Sequence, residues 1–210
     1  VHDRRIDGET YTFGNFGALW MNAMTWWDHE TDSVWTQPWG RALTGPLKGT
    51  TLKLLPFSLT TWDTWRQEHP DTLALVVENQ AHFNGQRVQD GFVIGLAIGD
   101  VARAYPYEVA AEEVVIEDWL GDIPVLVHVN PQTRSIHVYL RQLGDGTLLT
   151  FTGNAEQLVD DQTGSIWTPE RGLAIEGELS GQAMRELPYI TSFDWAWHDF
   201  YPHTTFYSGN

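Results

Sequence analysis

The sequence predicts a β-rich α+β fold, internally duplicated, with mostly antiparallel sheets and a few short helices. Two observations carry this. The chain repeats itself: "DHETDSVWTQPWGRALTGPLKG" (28–49) returns as "DDQTGSIWTPERGLAIEGELSG" (160–181), a shift of 132 positions. Slid by that shift, 15 of 48 residues from 28 to 75 are identical, where composition alone gives roughly 3. The second observation is local. Short apolar runs broken by Gly, Asn, Asp and Pro dominate, and few stretches carry a helical period.

The elements follow in chain order. "DGETYTF" (7–13) matches "DGTLLTF" (145–151) at a shift of 138, so the first copy holds six extra residues before Asp28. They fall in "GNFGALWMNAMTWW", which reads as one longer strand. "ETDSVW" and "QTGSIW" each read as strand, tight turn, strand. Gly164 can take positive φ there and Asp32 tolerates it. Asp28 and Asp160 precede the turns, where a carboxylate accepts backbone N–H bonds. "LKLLP" and "MRELP" each end a strand at Pro. "TTWDTWRQEHP" reads as a short helix capped by Thr60 or Thr61, with Asp63 in its first turn and Trp62 and Trp65 on one face. "SFDWAWHDFYP" repeats it with Ser192, Asp194, Trp197 and Pro202. "TLALVVE" and "TTFYS" read as the strands that follow.

The middle of the chain, about 76–140, has no earlier counterpart. It reads as a hairpin turning at Gly99-Asp100, a short helix "YEVAAEE", a hairpin turning near Gly121-Asp122, and a hairpin turning at Pro131. The organisation expected is residues 1–75 as the C-terminal part of a first repeat, 76–207 as a complete second repeat, and 208–210 as a tail. The second copy spans 132 positions and the first shows 75, leaving about 57 of its front positions without a counterpart here. A β-rich unit lacking them leaves strand edges and a core face open. The expectation is that an upstream segment of the same protein, or a partner chain, completes the first copy. The open side is expected along the strands of "VHDRRI" and "ALWMNAMTWW". The chain begins without Met, inside what reads as a strand, as a fragment or processed form does. The two copies are expected to pack as a pseudo-symmetric pair, with matched residues such as Trp35 and Trp167 in equivalent surroundings.

Composition excludes several function classes. The net charge is −16, and Lys occurs only at 48 and 53. Such a surface repels phosphate backbones, so nucleic acid is not an expected partner. There is no Cys for disulfides, thiolate metal sites or thiol nucleophiles. No apolar run reaches about 18 residues, so no transmembrane segment is expected. Eleven Trp residues are unusual. Trp35, Trp65, Trp167 and Trp197 recur at the repeat shift, which points to packing. Trp26, Trp27 and Trp39 lack counterparts and are the candidates for stacking on a sugar.

"GDVARAYP", "TGSIW", "GLAIEG", "TTWDTW" and "HPDT" together resemble an uncharacterised bacterial and archaeal family, domain of unknown function 3179, over essentially the whole chain. The resemblance implies a protein often exported, hence an extracytoplasmic place, and no particular activity. Proteins of this family typically carry a Cys-Pro-x-Cys motif after a Pro-Val-x-Val strand, with a His-Glu pair before it. Here the strand is Pro124 to Val127. Asn130-Pro131-Gln132-Thr133 takes the place of the Cys motif, and Glu113-Val114 that of the His-Glu pair. This copy resembles one that kept the scaffold and lost the reactive groups. A metal or redox site of the family would have its Cys pair just before Val1.

Candidate chemistry is sparse. If the third hairpin closes with a four-residue loop, His128 sits directly opposite His137, with Cβ atoms about 5 Å apart. Two imidazoles there are a candidate metal site, but a usable one needs further ligands. His69 and Asp71 are a candidate acid–base couple, yet the second copy reads "FYPHT" at that place. Asp28 and Asp160 match paired glycosidase carboxylates only in residue type; their place before matched turns favours equal structural roles. No phosphate-binding Gly loop, nucleophile elbow or His-Glu-x-x-His helix occurs. The function expected is a non-catalytic, extracytoplasmic scaffold or accessory subunit of a larger assembly, with no cofactor implied. The alternatives are an enzyme or metal-binding module whose active half lies upstream of Val1, and a carbohydrate-binding module using Trp.

Overall fold

The computed structural model describes residues 1–74 and 91–209. In chain order these form β1 (Arg5–Ile6), β2 (Glu9–Thr10), β3 (Phe13–Trp20), β4 (Ala23–Asp28), β5 (Val34–Thr36), β6 (Arg41–Thr44), α1 (Trp62–Glu68), β7 (Phe92–Ile98) and β8 (Val101–Pro106). There follow α2 (Tyr107–Glu113), β9 (Val115–Leu120), β10 (Ile123–Asn130), β11 (Ser135–Leu140), β12 (Phe151–Gly153), β13 (Leu158–Asp160), β14 (Ile166–Thr168), β15 (Leu173–Glu176), β16 (Arg185–Glu186), β17 (Ile190–Phe193), α3 (Asp194–Phe200) and β18 (Thr205–Phe206). The described residues are β-rich and mostly paired antiparallel, with β8 and β18 parallel. No described helix is long and apolar enough to cross a membrane.

The described residues divide into two compact units that do not follow the two copies. Unit 1 comprises Val1–Phe57, Val93–Ala104 and Pro188–Phe206. It holds the meander β3-β4-β5-β6 and a sheet in the order β17-β7-β8-β18. Unit 2 comprises the described part of Ser58–Phe92, with Tyr105–Leu187 and the residues after Phe206. It holds the meander β12-β13-β14-β15 and the sheet β16-β11-β10-β9. Each copy therefore sends its terminal helix to the unit that holds the other copy's meander: α1 belongs to unit 2, α3 to unit 1.

The repeat is visible atom by atom in the turn that opens each meander. Asp28 and Asp160 are fully buried. Trp35 Nε1 donates to Asp28 Oδ2 at 2.8 Å, and Trp167 Nε1 to Asp160 Oδ2 at 2.9 Å. Thr31 N donates to Asp28 Oδ1 at 2.6 Å, and Thr163 N to Asp160 Oδ1 at 2.7 Å. Leu47 N reaches Ser33 Oγ at 3.1 Å, and Leu179 N reaches Ser165 Oγ at 3.0 Å. Gly45 (φ 88°) and Gly177 (φ 92°) cover those serines, and a Cβ on either would come within 2.6 Å of the serine Oγ. Both copies carry the same register shift just before the shared Trp, at Val34/Trp35 and Ile166/Trp167. Burying a carboxylate is unfavourable unless its oxygens are hydrogen-bonded. Here Thr, Ser and Trp at fixed spacings supply the donors, so the turn depends on residue type and not only on Gly.

Three expectations are corrected. Residues 14–27 form not one strand but most of the hairpin β3–β4, turning at Met21 (φ 49°) and Asn22 (φ 60°). Two consecutive positive φ values make a tight hairpin turn that Asn tolerates without any Gly. The cap of α3 is Phe193, with no side-chain bond; Ser192 Oγ donates to the Phe193 carbonyl instead. Thr61 caps α1, its Oγ1 accepting from Thr64 N at 3.3 Å. Of "TLALVVE", Thr72 to Ala74 carry no strand, and the rest lies outside the described residues.

Each meander builds a core from the same positions. In unit 2 these are Leu149, Phe151, Leu158, Trp167, Ala174 and Met184, closed by Leu126 of β10 and Tyr139 of β11. In unit 1 the matched set is Tyr11, Phe13, Trp26, Trp35, Ala42 and Leu52, with Ile6. Trp35 and Trp167 are both 0% exposed. The outer members differ. Leu149, Phe151 and Leu158 are buried, whereas Tyr11, Phe13 and Trp26 are only half-buried.

Candidate functional site

The difference between the two cores leaves a groove of about 510 Å³ in unit 1. Trp26 of β4 forms one wall, cross-strand from Trp35. His2 meets Trp26 edge-on, with ring centroids 5.5 Å apart. α3 supplies Ala196, Trp197 and Phe200, and Tyr201 follows at its C-cap. The floor is set by Trp197: it is 2% exposed and packs on Gly95 of β7, where a Cβ would stand 2.4 Å from the indole ring. Tyr201 stacks on Trp197 at 4.1 Å. Phe57 and Tyr189, which are themselves related by the repeat shift, stack at 4.5 Å and form a further wall. Thr191 and Ser192 of β17 give one polar edge.

The groove carries no carboxylate, Lys or Arg side chain among its lining residues. Burial, with the amino-terminal charge adding to it, holds the His2 imidazole down to about 4. Burial pushes the Tyr201 phenol up to about 12. Both side chains are therefore neutral at pH 7. In a chain of net charge −16, this is an aromatic slot whose side chains carry no charge. It suits an apolar or hydrogen-bonding backbone occupant better than proton transfer, which needs a titrating group within reach.

The histidine pair lies in unit 2. The hairpin β10–β11 closes as expected, with Asn130 opposite Ser135 and His128 opposite His137. Asn130 Oδ1 accepts from Gln132 N at 3.0 Å and Thr133 N at 3.1 Å, so the residue in the first Cys place works as a turn former. His128 Nε2 lies 3.1 Å from the Asn154 carbonyl, and His128 Nδ1 and His137 Nε2 have no hydrogen-bond partner among the described residues. Burial lowers both imidazoles to about 4. Among the described residues no group of three or more His, Asp or Glu is placed to hold a metal. The pair alone supplies two nitrogens, fewer than a zinc site uses.

The remaining candidates are dispersed. Trp27 stacks on His29 at 4.4 Å. Trp39 Nε1 donates to the Phe200 carbonyl at 3.1 Å. Neither these two nor Trp26 is exposed; all three are half-buried. Trp20, Trp62, Trp119 and Trp195 are the exposed ones, each about half accessible. His69 caps α1 with its ring 4.0 Å from Trp65. Asp28 and Asp160 sit in different units, each held by its own turn. Trp65 Nε1 donates to Thr72 Oγ1 at 2.9 Å, and Trp197 Nε1 to Thr204 Oγ1 at 2.8 Å. What sequence reasoning missed is the groove. Its signal was present in the matched positions Trp26/Leu158 and Tyr11/Leu149, which need a covering layer in both copies.

The geometry thus shows the same scaffold twice, with the outer core residues less buried in the first copy. A family model described as "Protein of unknown function (DUF3179)" matches residues 1–87 and again residues 84–206. The chain belongs to this family. Two matches to a single model, one for each half, agree with the duplication read from the repeated turns and cores. No curated protein and no solved structure matches this DUF3179 chain.

Proposed function

We propose that this protein is a non-catalytic scaffold or accessory subunit, whose first copy is completed by further polypeptide carried upstream in the same protein or on a partner chain. One observation carries the reading. Tyr11, Phe13 and Trp26 stay half-buried where Leu149, Phe151 and Leu158 are buried, because Leu126 and Tyr139 of β10 and β11 close the second core. Of β9–β11, unit 1 has a described counterpart only for the end of β11, at Val1-His2. The hairpin β3–β4 adds to this with Phe16, Leu19, Trp20, Met21 and Met24 all exposed, a run of apolar side chains that marks an interaction surface. The lack of charged side chains in the groove lining supports a structural role over turnover, and so does the Asn130–Thr133 turn standing where the resemblance places a Cys pair. The family resemblance supports an extracytoplasmic location, to be checked by fractionating the native source.

A photo-crosslinking amino acid at Phe13 tests the reading in cells that make the whole gene product. The expected adduct is a polypeptide whose sequence has the hairpin pattern of residues 91–140. Absence of any polypeptide adduct, or recovery of a bound metal and substrate with measurable turnover, would overturn it.

A further inference from the structure

We propose that the groove of unit 1 is the seat of a single extended β-strand, formed by polypeptide leading directly into Val1 and pairing with Thr191. This rests on the completion reading and specifies its geometry. In unit 2, β11 makes two contacts along one edge. Tyr139 pairs with Glu186, and Leu187 N donates to the Val138 carbonyl at 2.8 Å. Earlier in the strand, Ile136 forms a bridge with Leu59, its N–H donating to the Leu59 carbonyl at 3.0 Å. Thr60 Oγ1 and Ser135 Oγ are hydrogen-bonded beside it at 2.7 Å.

Unit 1 repeats the first contact. His2 pairs with Leu54, and Leu55 N donates to the Val1 carbonyl at 2.8 Å. His2 lies over Gly40 (φ 57°) as Tyr139 lies over Gly172 (φ 55°). Val1-His2 therefore match Val138-Tyr139. The residue matched to the acceptor of the second contact is also present. Thr191 and Ser192 match Leu59 and Thr60 at the shift of 132, and both line the groove. The residue that would pair with Thr191 lies two positions ahead of Val1, in the place of Ile136. The one before it, in the place of Ser135, meets the Ser192 hydroxyl. Strand alternation puts the residue directly ahead of Val1 on the face of His2, towards Trp26. Main-chain pairing supplies the affinity and the aromatic slot selects an uncharged side chain there, as in recognition by strand addition.

The test joins the octapeptide NPQTRSIH, the sequence of residues 130–137, directly before Val1, leaving residues 1–210 unchanged. The added Ile then falls opposite Thr191. Its amide is expected to exchange about 100-fold more slowly than in the free octapeptide, with a nuclear Overhauser contact to Thr191 and shifted Trp26 and Ser192 resonances. A second version with Pro in place of that Ile, which lacks the N–H donor, is expected to lose the Thr191 contact and the shifts. Free-peptide exchange of the added Ile overturns the strand seat, and so does an equal response from the Pro version. If the strand stays free while crosslinking at Phe13 still finds polypeptide, the seat is wrong and the completion reading stands.

Discussion

Asp28 and Asp160 show how much one buried side chain can hold. Burial pushes each carboxyl up, but the bonds from Trp35 or Trp167 and from Thr31 or Thr163 outweigh it, and the net shift is downward. A lowered folded value means the contribution is complete above the ordinary carboxylate range and is lost as pH falls through the folded value. Acid unfolding from these two residues is therefore expected below about pH 4. Asp160→Asn turns an NH₂ towards existing donors and is expected to cost about 2–4 kcal/mol in chemical denaturation. Asp28→Asn should cost a similar amount, because its bonds are the same. The histidines act in a different window. His128 and His137 are held down to about 4 from 6.5 by burial. Between those values the unfolded chain binds more protons than the folded one, so stability falls as pH drops from 6.5 towards 4. Each contributes on the order of 3 kcal/mol to that slope. His137→Phe is expected to flatten the profile between pH 4 and 6.5; an unchanged slope would show that the pair is not titrating as described.

At the scale of elements, α1 and α3 occupy matched sequence positions and have unequal support. α3 buries Trp197 and Phe200, while α1 buries no residue. The reason is the hairpin β7–β8, which covers α3 and has no described counterpart beside α1. Trp197→Ala is expected to cost about 3–5 kcal/mol, and Trp65→Ala only about 1–2 kcal/mol in this chain; equal costs in urea unfolding would refute the asymmetry. Local elements were legible in the sequence where the chemistry is local. The Asp-x-x-Thr-x-Ser-x-Trp turns, the register of His128 against His137, and the hairpins at Gly99, Gly121 and Pro131 all rest on residues close in the chain. The β3–β4 turn was not, because Met21-Asn22 carries no Gly or Pro. The groove was not either, since His2, Trp26, Phe57 and Tyr201 come together only through tertiary packing.

For the whole molecule, the repeat predicts more than the described residues supply. The second copy carries a hairpin and a sheet, β7–β8 and β9–β11, ahead of its meander; in the first, Val1-His2 match only the last residues of β11. The exchange of terminal helices between units could not be read from periodicity, because both helices carry the same pattern and nothing local says which meander each joins. Hydrogen exchange tests the incompleteness of the first copy most directly, because matched amides make matched bonds. Ala42 N donates to Thr50 O at 2.9 Å, and Ala174 N to Gln182 O at 2.9 Å. Both alanines are buried beside their Trp. Among the described residues β9–β11 layer only the second core, so Ala42 is expected to exchange at least about tenfold faster than Ala174 in this chain. Equal protection at Ala42 and Ala174 would contradict the claim that the first copy lacks a covering layer.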